Sequence, residues 1–261
     1  MSRSSFSAVD AVAWTALLTC LLIGVLSLVH WLAPGADQIA IGGGVEVVLY
    51  LGASWWLVRG KTGTSPGDAL GLRRPALLLL VAGCLLGVSL HGVTDVVQHL
   101  VEKLYPTSEA LLRERIERLS GGGTLERAST ALFAVVLAPF AEEAFFRGAL
   151  EARLSPGRSF WTVATITSAC FSVSHAEPRI WPSLLLIGFA LALVRKASRS
   201  ILPGYLLHAA FNATTLLLVW SDTDPLGSAV PAWPLASVAA LVSSLLLARF
   251  ALVARAEVSA P

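Results

Sequence analysis

The chain has 261 residues, of which 55% are hydrophobic and only 14% charged, with a mean hydropathy of +0.72. Soluble globular domains carry about 25% charged residues, so a water-soluble enzyme or binding domain is excluded and an integral membrane protein is expected. A formal net charge of +2 gives no footing for nucleic-acid binding.

At about 20 apolar residues per crossing, eight transmembrane helices are predicted. They lie near residues 11–33, 39–58, 75–98, 129–151, 159–176, 180–195, 200–220 and 232–253. The first run is longer than the about 7–15 residues of a signal-peptide core, so it reads as a retained span. The sixth begins beside Pro178 and Pro182 and is expected to be short, tilted or partly buried. The fold class is therefore all-α: one polytopic membrane domain. Residues 1–128 form an N-terminal three-helix region, 129–220 the polar-motif helices, and 221–261 a last span with a short tail.

The longest connection, 99–128, places Leu111, Leu112, Ile116 and Leu119 at helical spacing among Glu and Arg. This pattern predicts an amphipathic helix at the interface, either a solvated surface helix or a gate over a buried site, ended by Gly121–Gly123. With the N-terminus inside, 12 Lys and Arg fall in inner segments and 6 in outer ones, with Arg147 inside a span. That bias places both termini in the cytoplasm. Cys20, Cys84 and Cys170 are scattered through apolar runs and form no disulfide or zinc pattern.

Against this background AEEAFFRG, residues 141–148, stands out, because each ionisable group in mid-span costs about 2.5–3.5 kcal/mol on the insertion scale. Glu143 and Arg147 are four apart and share a helix face, so they can pair. Glu142 points about 100° away and is left available. Downstream, FSVSH puts Phe171 one turn from His175, and HAAFN puts His208 one turn from Asn212. Counting about 1.5 Å per residue from the connections near Pro156 and Ser198, these groups can reach one layer. A carboxylate and an imidazole can deprotonate water, and a second imidazole with an amide can stabilise an oxyanion. Alternatively Glu142, His175 and His208 could hold a divalent metal such as zinc. HExxH, a serine-protease elbow and a pair of spanning aspartates are all missing from the sequence.

EEAFFR, FSVSH and HAAFN, in that order, resemble the EExxxR, FxxxH and HxxxN motifs of the CPBP family, the CAAX prenyl proteases and bacteriocin-processing enzymes. The resemblance covers roughly residues 129–220 and implies an intramembrane endopeptidase of about eight helices. It implies that Glu142 and His175 activate water and that His208 and Asn212 stabilise the tetrahedral intermediate, with Glu143, Arg147 and Phe171 in supporting positions. The substrate it implies is a membrane-anchored protein or peptide: a CAAX-like tail, a C-terminal anchor or a leader. Alanine- and arginine-rich composition points to a bacterial inner membrane, where leaders and anchors are the expected substrates. Two other readings remain: a proton-coupled transporter using the same Glu/His/Arg cluster, disfavoured by the lack of internal repeats, and a non-catalytic immunity or binding protein. Glu46, after three glycines, is read as a hydrogen-bond partner or an interfacial glutamate. His91, Asp95 and His99 are read as a polar stripe where the third span leaves the membrane, with a metal site or proton path as the sharper alternative. His30, beside Trp31, is read as interfacial.

Overall fold

A computed structural model describes residues 6–34, 36–59, 65–120, 122–221 and 233–258. Arg3, Lys61 and Gly121 of the sequence reading, and the connection 222–232, lie outside them. The described residues are helical and contain no strand. In chain order the helices are α1 (Ala8–Leu32), α2 (Gln38–Val58), the single turn α3 (Pro66–Leu70), α4 (Leu77–Leu104) and α5 (Glu109–Ser120). Then follow α6 (Thr124–Leu154), α7 (Phe160–Ser174), α8 (Trp181–Ser198), α9 (Leu202–Trp220) and α10 (Trp233–Val258).

Among the described residues seven helices are long and apolar enough to cross a membrane, and α7 is a shorter apolar one. The sequence places the short crossing at α8; the structure places it at α7. α7 has 15 residues, about 22 Å at 1.5 Å per residue. It ends where Ala176 turns into the left-handed region, φ 53°, just ahead of Pro178, which disfavours helix in the residue before it. Pro182 falls in the first turn of α8, where its missing N–H leaves nothing unpaired, so it starts that helix without shortening it.

Contacts at the two ends of the bundle separate its faces. At one end Ser200 donates to the Arg73 carbonyl at 2.7 Å and Arg195 Nε to the Arg147 carbonyl at 3.2 Å. At the other, Ser129 donates to Asp37, the N-cap of α2, at 2.9 Å, and Trp220 Nε1 to the Leu119 carbonyl at 3.0 Å. The outward faces of α1, α4 and α10 expose Leu17, Leu28, Leu85, Leu241 and Leu245, the apolar surface that lipid covers.

The closest helix crossing is α4 on α9. A Cβ on Gly83 would lie 2.3 Å from the Pro203 carbonyl oxygen, and one on Gly87 2.1 Å from that of Leu207. Only glycine at both positions lets the backbones meet, the small-xxx-small device of membrane helices. The contact brings α4 against Leu207, next to His208. His91 continues the same stripe four residues on. Gly87→Ala is expected to destabilise the protein by about 1–3 kcal/mol, the usual effect of overpacking. Gly24→Ala, where the added Cβ meets nothing within 4 Å, should leave the thermal transition in detergent at or above wild type.

Candidate active site

α6 carries the carboxylates, and its geometry starts from a proline. Residues Leu132–Leu137 form a π-helical stretch in which the Ala138 amide bonds the Phe133 carbonyl, five residues back. The next bond in that ladder would run from residue 139 to Ala134, but Pro139 has no N–H. Asn212 of α9 supplies the missing donor, its Nδ2 lying 2.8 Å from the Ala134 oxygen. One amide thus satisfies the freed carbonyl and ties α9 to α6 about two turns before Glu142. A second π stretch, Ala144–Leu150, follows Glu143 directly.

Glu143 and Arg147 are fully buried, with Arg147 Nη1 3.0 Å from Glu143 Oε1. Arg147 Nη2 donates to the Gly188 carbonyl of α8 at 3.2 Å, and its guanidinium stands 4.5 Å from the centre of the Phe171 ring. The pair predicted from i, i+4 spacing is formed. Glu142, one position earlier, faces another way: its Oε2 is 3.5 Å from His208 Nε2. His208 Nδ1 lies 3.8 Å from Glu143 Oε1, so its ring stands between the two glutamates.

The second imidazole is set by α7. His175 Nδ1 is 2.9 Å from the Phe171 carbonyl. A carbonyl only accepts, so Nδ1 carries the hydrogen and Nε2 keeps its lone pair. The Phe171 ring stands edge-on to both imidazoles, with centroids 5.0 Å from His175 and 5.5 Å from His208. Phe171 is therefore the spacer that fixes the two histidines, buried in a cluster with Phe145, Phe146 and Tyr50.

Glu142, His175, His208 and Asn212 all line one cavity of about 550 Å³. Sequence reading places these four together, and the structure does so. It also brings in Glu46 of α2, which lines the cavity and is in hydrogen-bonding contact with Glu142. Tyr50, one turn further, is not singled out from sequence; its ring packs 5.1 Å from that of Phe145 and 5.6 Å from that of Phe146. Its signal was the stripe Gly42–Glu46–Tyr50, spaced by four. His91 and Asp95, read from sequence as a polar stripe where the third span leaves the membrane, have a further role in the structure. α4 continues to Leu104, and both residues line the same cavity as Glu142. His99 is buried but does not line it. His30 lines a second cavity of about 750 Å³ between α1, α2 and α6 that shares Glu46 with the first.

α5 roofs the first cavity with Leu112, Arg115 and Leu119. Arg115 Nη2 is 2.5 Å from Glu177 Oε2 in the turn after His175, which ties the roof to the segment holding the histidine. Among the described residues, no three His, Cys, Asp or Glu side chains are grouped to hold a metal ion. Glu142, His175 and His208 as arranged do not form the ligand set that the zinc alternative requires.

The described residues thus form a helical bundle with seven candidate membrane spans and a buried carboxylate–imidazole cluster lining one cavity. Residues 124–214 match the family described as Rce1-like, type II CAAX prenyl endopeptidase, so this segment of the chain is similar to that protease family. The matched segment runs from the start of α6 into α9 and contains Glu142, Glu143, Arg147, Phe171, His175, His208 and Asn212. No curated protein and no solved structure matches the chain.

Removing Arg147 leaves Glu143 buried without its partner. Arg147→Ala is expected to destabilise the protein by about 3–5 kcal/mol, read as a lower thermal transition and a lower amount in the membrane. Glu142→Ala should leave both near wild type.

Proposed function

We propose that the protein is an intramembrane endopeptidase that hydrolyses a peptide bond of a membrane-anchored protein or peptide with a water activated by Glu142 and His175. The observation that carries this reading is the single cavity onto which Glu142, His175, His208 and Asn212 converge. The Nε2 lone pair of His175 and the Glu142 carboxylate are two acceptors for the hydrogens of one water. Taking a proton from that water makes it the nucleophile for a carbonyl carbon. His208 and the second N–H of the Asn212 amide are the donors for the oxyanion that forms, and the first N–H stays on Ala134 to hold the amide in place. The proton taken from water then passes to the leaving nitrogen. Glu143 and Arg147 hold α6, α7 and α8 in register and take no part in proton transfer. A bound metal would serve as a Lewis acid, but the donors as placed supply no set for it, and no step depends on one.

Lys and Arg excess at the end carrying Arg73, Arg74, Arg153, Arg158, Arg195 and Lys196 supports a cytoplasmic placement of that end. On this topology both termini are cytoplasmic, the membrane is a bacterial inner membrane, and the cavity opens outward beneath α5. Substrates are then outward-facing C-terminal anchors or leader peptides.

Glu142→Ala, His175→Ala and His208→Ala are each expected to abolish cleavage while the protein stays in the membrane. Comparing the membrane proteome of a deletion strain complemented with wild type or with Glu142→Ala checks this. A tail or leader that persists only without active enzyme identifies the substrate, and normal processing by Glu142→Ala overturns the mechanism. Pro139→Ala restores an N–H that competes with Asn212 for the Ala134 carbonyl. It is expected to lower kcat by about tenfold or more, in the direction of losing an oxyanion donor, with little change in protein amount.

A further inference from the structure

The cavity extends well beyond the water-activating layer. Its α4 wall is polar along its length: His91, Thr94, Asp95, Gln98 and Glu102 all line it. These residues lie outside the segment that matches the protease family, and the reaction as proposed uses none of them.

The groups of this wall differ in how they are engaged. Glu102 accepts from the Thr107 hydroxyl at 2.7 Å, the Thr107 amide at 2.8 Å and Gln98 at 3.3 Å. Arg115, on the opposite roof, is paired with Glu177. Asp95 turns one oxygen, Oδ1, to His91 Nδ1 at 3.3 Å, and its side chain stays 42% exposed. A carboxylate has about four acceptor positions, so Asp95, which lines the cavity, keeps acceptor capacity for a group bound there. His91 is fixed on its far side as well: Nε2 is 3.2 Å from Thr215 Oγ1, and the ring packs 5.1 Å from that of Phe211.

Thr215 gives the position of this group relative to the reaction. It lies on the same helix as His208, seven residues further and on the same face. Seven residues of helix span about 10 Å, which is about three residues of extended peptide at roughly 3.3 Å each. A substrate chain laid along α9 with its scissile bond at His208 therefore passes Asp95 about three residues from the cut.

We propose that His91, Asp95 and Thr215 form a side-chain-reading subsite that takes a lysine or arginine of the substrate about three residues from the bond cleaved. The inference rests on the endopeptidase reading above. Asp95 receives the cation, Thr215 offers a second acceptor oxygen, and His91, clamped between them, holds Asp95 toward the bound chain. Apolar neighbours such as Phe211 and Leu216 keep the local dielectric low, which strengthens a charge contact there.

The test uses the full-length enzyme in liposomes. The probe is a peptide library with an apolar membrane-inserting tail and a randomised stretch, with cleavage products sequenced by mass spectrometry. Wild type is expected to enrich Lys and Arg at one position about three residues from the cut. Asp95→Asn should reduce that enrichment by about tenfold, as for loss of a charge-assisted hydrogen bond. Asp95→Glu should retain it, and Asp95→Lys should invert it toward Asp and Glu. The thermal transition of each variant in detergent is read beside the library, and a transition at the wild-type value separates altered recognition from misfolding. A wild type without the preference, or a preference unchanged in Asp95→Asn and Asp95→Lys, overturns the subsite and leaves the endopeptidase standing. A wild type that cleaves no member overturns both.

Discussion

A guanidinium that no water reaches can find acceptors only within the protein, and Arg147 is such a group. It binds Glu143 on its own helix, the Gly188 carbonyl on α8 and the face of Phe171 on α7. These three contacts cannot be made unless α6, α7 and α8 stand in one relative position. An ion pair of this kind is weak support for stability in itself, because desolvation offsets much of the attraction. Its effect is to disfavour alternatives: another packing of α7 or α8 would keep the ion pair but lose the Gly188 carbonyl or the Phe171 ring. The histidines follow from it, since Phe171 touches Arg147 on one side and both imidazoles on the other.

Next to that fixed pair, a local irregularity supplies the reactive group. A continuous α-helix would satisfy its own carbonyls and offer α9 nothing to bind. Pro139 and the π stretch before it free the Ala134 oxygen, and Asn212 takes it. The backbone group given up within one helix becomes the attachment point of another, a way of tolerating proline in apolar surroundings. π-helical turns often occur at functional sites, and here they bracket Ala138–Glu143, the turn and a half that carries both glutamates.

Much of this was legible in the residues because it depends on spacing within single helices. Glu143–Arg147, Phe171–His175 and His208–Asn212 are all four-residue relations, and each is met in the structure on one helix face. What was not legible depends on which helices touch. Nothing local to HGVTD indicates that α4 runs on to Leu104, or that Gly83 and Gly87 press it onto α9 so that His91 reaches Thr215. Read alone, the segment resembles a helix leaving the membrane; against α9, it is the wall of a cavity. The short α7 was misplaced for a related reason. Pro178 and Pro182 were both counted against the following helix, whereas one ends α7 and the other begins α8. Tyr50 carries a spacing signal with Glu46, but its ring partners Phe145 and Phe146 lie on a different helix.

The halves of the chain therefore contribute different things to one cavity. The family-matched segment, α6 to most of α9, holds the carboxylates, imidazoles and amide that any substrate's peptide bond must meet. The preceding helices, α2, α4 and α5, supply Glu46 beside Glu142, the polar wall from His91 to Glu102, and the roof fastened by Arg115 to Glu177. Chemistry of bond cleavage is common to every peptide, so it constrains the first set narrowly. Choice among peptides needs groups that meet side chains away from the bond, and on the proposed reading the second set, with Thr215 of α9, supplies them along the cavity. The crossing of Gly83 and Gly87 on Pro203 and Leu207 joins the two sets. It fixes the register between the helix that carries Asp95 and the helix that carries His208, so that on the proposed reading the distance from recognition to reaction is a property of the backbone.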